Sequence, residues 1–205
     1  MASTETLDLV ALICSRLCHD LAGSIGAVNN GVELLAEETD PAMREEAIGL
    51  IAQSANDAAR RLAFFRLALG ASGGVQDPMA LGELNRVAQN YFAGSRLSLA
   101  LPQDNIELPK PLGKALLLGL ALAGQALPRG GTLSLDRVGE GWAIRAEGVM
   151  LRWQDGVAAA FAGEADWPQE PAPAMARYAR LLAIASDLSV DAALNDAALT
   201  LHFMP

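Results

Sequence analysis

Between residues 5 and 70 the apolar positions return with a helical period. With Leu7 taken as position a of a heptad, the a positions are Leu7, Cys14, Leu21, Val28 and Leu35. The d positions begin as Val10 and Leu17 and then become Ser24 and Gly31, after which Ile25 and Val32 at e carry the stripe. The stripe is therefore wider than a strict two-stranded seam. Thr39-Asp40-Pro41 reads as a stop followed by an N-cap, with proline at the first helical position. A second stripe follows through Ala47, Ile51, Ala55, Ala58, Leu62, Phe65 and Leu69. The pattern predicts two helices of roughly thirty residues forming an antiparallel hairpin. "NNG" at 29–31 would suit a turn, but the period continues through Val32 and Leu35, so it is read as helical. One hairpin cannot bury two stripes of this width. Two hairpins paired as a four-helix bundle can, which predicts a homodimer.

After "GASGGVQDP" at 70–78, read as a linker, the pattern changes. A helix is predicted over roughly 79–94, a strand in "RLSLAL", and a very apolar helix from Pro111 to Leu127. "TLSLDRV" and "GWAIRAEGV" read as a β-hairpin turning at Gly139–Gly141. Helices around 154–162 and 172–187 precede two closing strands, "LSVDAAL" and "ALTLHFM", joined by Asn195-Asp196. The predicted fold is a two-domain α plus α+β chain. Residues 1–72 form a helical hairpin, and residues 78–205 form an α+β sandwich with helices on one face of a mostly antiparallel sheet.

Composition narrows the partners. A formal charge of −9 argues against nucleic acid and anionic membrane surfaces. The N-terminus carries Glu5 and Asp8 where a secretory signal carries positive charge. The charge-free apolar stretch between Lys114 and Arg129 is too short for a membrane span of ~20 residues. Cys14 and Cys18 read as buried free thiols in a reducing cytosol. The expectation is a cytoplasmic protein with no membrane partner.

One of the chain's two histidines stands out. The heptad puts His19 at position f, roughly 145° from the centre of the stripe at 100° per residue, with Asp20 beside it at g. Both are expected to face solvent. Cys14, Cys18 and His19 do not share a face, so no metal site is expected. C-x3-C-H also differs from the C-x-x-C-H of haem attachment. Adjacent residues on a helix cannot converge as a Cys–His hydrolase pair. Two readings survive: a solvated surface histidine, or an exposed nucleophilic imidazole with a carboxylate that orients the ring and favours one tautomer.

"CHDL" in a long amphipathic helix resembles the H-box of sensor histidine kinases, a phosphorylatable His followed by an acid and Leu. The hairpin resembles their dimerisation and phosphotransfer domain, and the α+β part falls where their ATP-binding domain would lie. Three ATP-site elements are missing. "LLLGLALAGQALPRGG" has Leu122, Ala123 and Gly124 where the magnesium-holding Asn should be. "RAEGVML" has Glu147-Gly148 in place of D-x-G-x-G, and "PAMARYARLLA" replaces the glycine-rich lid. Such a pocket needs glycines for close phosphate approach and an Asn for the metal.

This combination, with "SRLCHD" close to a characteristic "ARLCHD", is similar to the ChpT-like histidine phosphotransferases of alphaproteobacteria. The resemblance implies a phosphorelay enzyme that binds no ATP. His19 would take a phosphoryl group from a receiver aspartate of a hybrid histidine kinase (CckA-type), with Asp20 as its acidic neighbour. It would pass the group to receiver aspartates of response regulators (CtrA- and CpdR-type). No cofactor is implied, since Mg2+ belongs to the partner receiver. Gly23 and Ser24 stand where the kinase H-box has a polar residue and then Pro, a departure that counts against a phosphatase role of the kind that uses it.

Arg16, one turn before His19, and Arg60 and Arg61, level with it across the hairpin, are candidates to steer a receiver or stabilise the phosphoryl group. The alternative for each is a solvated charge on a helix face. Ala22, Gly23, Ser24 and Gly26 are candidate receiver contacts. The competing readings of function are a divergent ATP-dependent histidine kinase and a non-catalytic pseudo-kinase scaffold.

Overall fold

The computed structural model describes residues 3–70, 77–164 and 168–205, so most of the expected linker lies outside the described residues. Helix α1 spans Thr4–Glu37 and α2 spans Pro41–Ala68. The Asp40 side chain accepts from the backbone N–H of Ala42 and Met43, with Pro41 opening the helix, as the sequence predicts. Arg44 locks the turn by donating to the carbonyls of Leu35 and Glu38 at 2.6 and 2.8 Å.

"NNG" is helical, and packing explains the glycine. A Cβ on Gly31 would lie 2.5 Å from Ile51 Cγ1, so a bare α-carbon here lets α1 and α2 approach closely.

Burial departs from the heptad in an informative way. Leu7, Val10, Ile25 and Val32 on α1 are exposed, while Leu9 and Gly31 are buried. Cys14 and Cys18 are exposed as well, correcting their assignment to a buried stripe. A single hairpin offers each helix one neighbour, which covers only part of a stripe this wide. On α2, Ala47 and Phe65 are buried as expected, but Leu62 is exposed and Phe64 is completely buried. The buried face rotates there because the neighbour is no longer α1 alone. Phe64 stacks on Tyr91 with ring centroids 4.1 Å apart.

Tyr91 belongs to α3 (Leu81–Phe92), the first helix of the α+β part. Strand β1 (Met79–Ala80) pairs antiparallel with β3 (Glu107–Leu108), a small ladder the sequence did not predict. The main sheet has five strands in the order β2 (Leu97–Ala100), β4 (Gly131–Val138), β5 (Gly141–Glu147), β7 (Ala198–Met204) and β6 (Ser189–Leu194). Only β2 and β4 are parallel, so the mostly antiparallel expectation holds. The β4–β5 connection turns at Gly139, whose φ of 60° suits a glycine, and Val138 pairs with Gly141. Asn195 closes the β6–β7 turn by accepting from the N–H of Ala197 and Ala198.

Helix α4 (Lys110–Gln125) is the centre of the packing, with Leu112 to Ala123 all buried. A helix apolar on every side has to be covered on every side. One face meets the sheet, where a Cβ on Gly119 would come within 2.8 Å of Ile144 Cδ1. The others meet α2, α3 and α6 (Pro171–Ile184), while α5 (Asp155–Ala162) packs on α6. The hydrophobic core runs without a break from Phe64, Phe65 and Ala68 of the hairpin through α4 to Leu199 and Phe203. Lys114, buried on α4, donates to the Gly70 carbonyl at 2.5 Å and ties α4 to the end of α2. Burial, and then the charge of Lys110, holds its pKa below the ordinary lysine value.

By length and composition α1 is the one helix among the described residues that could cross a bilayer. Its apolarity is that of the exposed stripe, and Arg16, His19 and Asp20 interrupt its middle.

Two of the three glycines of α1, Gly23 and Gly31, give opposite expectations in urea unfolding. Gly31→Val should lose about 1–3 kcal/mol through overpacking against Ile51. Gly23→Ala, with nothing within 4 Å of the added carbon, should gain about 0.5–1 kcal/mol of helix stability. Equal effects at the two positions would contradict the close crossing at Gly31.

Candidate functional site

The His19 side chain is 82% exposed, as the phase of the helix predicts. Its neighbour is not. Asp20, expected in solvent at position g, keeps only 9% of its side-chain surface in water. The α+β part covers it. The space around the carboxylate holds about 10 Å³ and is lined by Arg16 of α1, Phe64 and Phe65 of α2, Tyr91 of α3, and Ala172 and Met175 of α6, together with residues of α4. Elements distant in sequence make this wall, so a heptad could not reveal it.

Asp20 divides its oxygens between two partners. Oδ2 accepts from Arg16 Nε at 2.8 Å, and Oδ1 lies 3.2 Å from His19 Nδ1. A carboxylate only accepts, so in the neutral ring the proton belongs on Nδ1 and Nε2 presents its lone pair toward solvent. Arg16 is one turn before Asp20, where the i, i+4 spacing brings such pairs together. The result is a chain of guanidinium, carboxylate and imidazole, buried at its centre and open at the imidazole.

The remaining candidates divide. Ala22 and Gly23 are exposed while Ser24 and Gly26 are half-buried, and a Cβ at either glycine would meet nothing within 4 Å. The helix beyond His19 thus offers a low, open shoulder. Arg60 is paired with Asp57, one turn earlier on its own helix. Arg61 lies within electrostatic reach of Tyr91. The structure therefore brings Arg16 to the acid beside His19 and directs Arg60 to a different partner.

Tyr91 is the site residue that sequence reasoning missed. Its phenol pKa is raised, first by burial and then by the Asp20 charge, against a smaller opposing effect of Arg61 and Arg16. The available signal was weak, an aromatic at the end of a short amphipathic helix. The second histidine, His202, lies in β7 opposite Ala143 and Asp191.

Leu122 stands with Gln125, Ala126, Arg152, Trp153 and Val157 around a space of about 20 Å³, room for about one water. "PAMARYARLLA" forms helix α6, which packs on α4 and α1. No group of three or more His, Cys, Asp or Glu among the described residues could hold a metal ion.

The family model for the histidine phosphotransferase C-terminal domain matches residues 81–198. Protein phosphotransferase ChpT of Brucella abortus (strain 2308) is 39% identical over 152 residues, 72% of this chain and 71% of that protein. A bacterial phosphotransferase solved at 1.7 Å superposes with a TM-score of 0.84 at 33% identity, covering 99% of this chain and 98% of that one. The family model stops short of the hairpin, whereas the structural likeness includes it.

Burial and charge at Tyr91 predict its titration. The chain has two tyrosines, and both phenols are held above the ordinary value of 10.0, Tyr178 by burial alone. A folded pKa above the unfolded one stabilises the protein below about pH 10, and that contribution is lost as pH rises through the folded value. In a Tyr178→Phe background, tyrosinate absorbance should therefore rise above pH 10. Asp20→Asn should bring the midpoint down. An unmoved midpoint would separate Asp20 from Tyr91.

Proposed function

The chain belongs to the histidine phosphotransferase family of two-component signalling, and from that premise we propose that His19 is its phosphoacceptor and Asp20 the group that orients it. One observation carries the proposal. His19 is 82% exposed while its Nδ1 is held by a buried carboxylate, leaving Nε2 free. The substrate is a receiver aspartyl phosphate of a hybrid histidine kinase, and the acceptors are receiver aspartates of response regulators. The CckA-type and CtrA/CpdR-type systems are the instances that the resemblance suggests.

Transfer to a protein-borne imidazole requires in-line access, which an exposed ring on an open helix shoulder supports. The Nε2 lone pair attacks phosphorus. The N–P bond forms as the P–O bond to the receiver aspartate breaks, and the leaving group is that carboxylate. The ring becomes cationic while its Nδ1–H stays hydrogen-bonded to Asp20, so no proton has to leave in the step. The second transfer reverses these changes on another receiver. Mg2+ on the receiver would neutralise phosphoryl charge, and Ala22, Gly23, Ser24 and Gly26 would meet the receiver surface. Arg60 and Arg61 are proposed to attract that surface.

The reading includes no ATP chemistry. The one-water space beside Leu122 and the helix in the lid's place support this. It also includes a cytoplasmic homodimer whose hairpin (1–72) pairs with a second copy and whose α+β part (78–205) flanks the bundle. The exposed Leu7, Val10, Ile25 and Val32 of α1, with Ile48, Leu50 and Leu62 of α2, support pairing. Each such side chain covered contributes about 1.5–3 kcal/mol.

Incubation with a phosphorylated receiver tests the proposal. Wild type should take up label, His19→Ala none, and Asp20→Asn should be slowed about 10²-fold. Label on His19→Ala would falsify the assignment, and a protein that never accepts label would leave the scaffold reading. ATP should give no thermal shift, whereas a shift would restore the kinase reading. Light scattering should give about twice the 21.4 kDa chain mass.

A further inference from the structure

We propose that Arg16 is a positioning residue for His19, acting through Asp20, and that walls from α3 and α6 hold it in that role. The inference rests on His19 as phosphoacceptor. It assigns Arg16 away from receiver steering, the role its position alone suggested.

The geometry carries the assignment. Arg16 Nε meets Asp20 Oδ2 at 2.8 Å, and the Arg16 side chain is only 24% exposed. Its donor is therefore directed inward, at the oxygen that His19 does not use. That contact leaves Oδ1 aimed at Nδ1 of the ring. The cavity around the carboxylate holds about 10 Å³, no more than one water, so solvent has little room to replace a lost guanidinium. A carboxylate in such a place, deprived of its cation, has to turn outward or lose its charge. Either change releases the imidazole.

Tyr91, Ala172 and Met175 line this cavity from the α+β part. They give that part a task in the transfer step: it excludes water from the pair that sets the ring. Phe64, stacked on Tyr91, extends the same wall from α2.

The test reads the ring directly. His19 and His202 are the only histidines, so ring-nitrogen NMR at about pH 8, above the ordinary histidine pKa, resolves His19 with His202 as internal control. Wild type should show the Nδ1–H form at His19. Arg16→Met should shift it toward the Nε2–H form that free imidazoles favour and leave His202 unchanged. Tyr91→Ala should do the same more weakly. In transfer from a phosphorylated receiver, Arg16→Met should lower kcat about tenfold to a hundredfold with receiver KM unchanged. Arg16→Lys, which keeps the charge without the planar donor, should recover part of both signals.

An unchanged tautomer in Arg16→Met, or a raised KM with kcat intact, would overturn the proposal and return Arg16 to receiver docking. Should wild type accept no label at all, the phosphoacceptor reading fails, and the tautomer measurement still decides whether Arg16 sets the ring.

Discussion

An aspartate carboxylate with only 9% of its surface in water has lost solvation that partners must replace. At Asp20 the partners are a guanidinium on one oxygen and an imidazole on the other, and walls of aromatic and aliphatic side chains keep solvent out. Much of the architecture follows from supplying those walls. Helix α1 brings Arg16, α2 brings Phe64 and Phe65, and α3 brings Tyr91, while α6 closes the last side with Ala172 and Met175. The hairpin alone would leave this carboxylate wet, and a wet carboxylate holds an exposed ring weakly.

The same constraint gives a reason for the form of the α+β part. Here α4 is buried on all sides, and the neighbouring space admits about one water. A helix with no polar face can be packed against from every direction. α6 uses one of those directions to reach α1. The apolar surface of α4 thus serves the core and the wall around Asp20 alike, since Leu118, Ala121 and Leu122 line that cavity.

Much of the fold was legible in the sequence because its signals are local. The hairpin, the Asp40 cap, the Gly139 turn and the alternation of β6 and β7 depend on residues within a few positions of one another. His19 was legible for the same reason, since helical phase alone turns it outward. What was not legible came from distant parts of the chain. Asp20 is buried by elements more than forty residues away, Phe64 displaces Leu62 from the core because Tyr91 stacks on it, and β1 pairs with β3 over two residues. The cysteines were misread because an apolar period marks a stripe without showing which of its positions a neighbour covers.

His19 and Asp20 are consecutive, yet one is open and the other buried. A helix makes this possible, because 100° between neighbours lets one residue face solvent while the next faces the packed flank. A loop could expose the imidazole but would hold it less firmly, and a strand would send the two side chains to opposite faces. On a helix they diverge just enough for Oδ1 to reach back to Nδ1 at 3.2 Å while Oδ2 turns inward to Arg16. The arrangement separates two physical demands, access and orientation. The shoulder at Ala22 and Gly23 leaves the ring open to solvent, and the Arg16–Asp20 pair holds its Nδ1 side in one orientation.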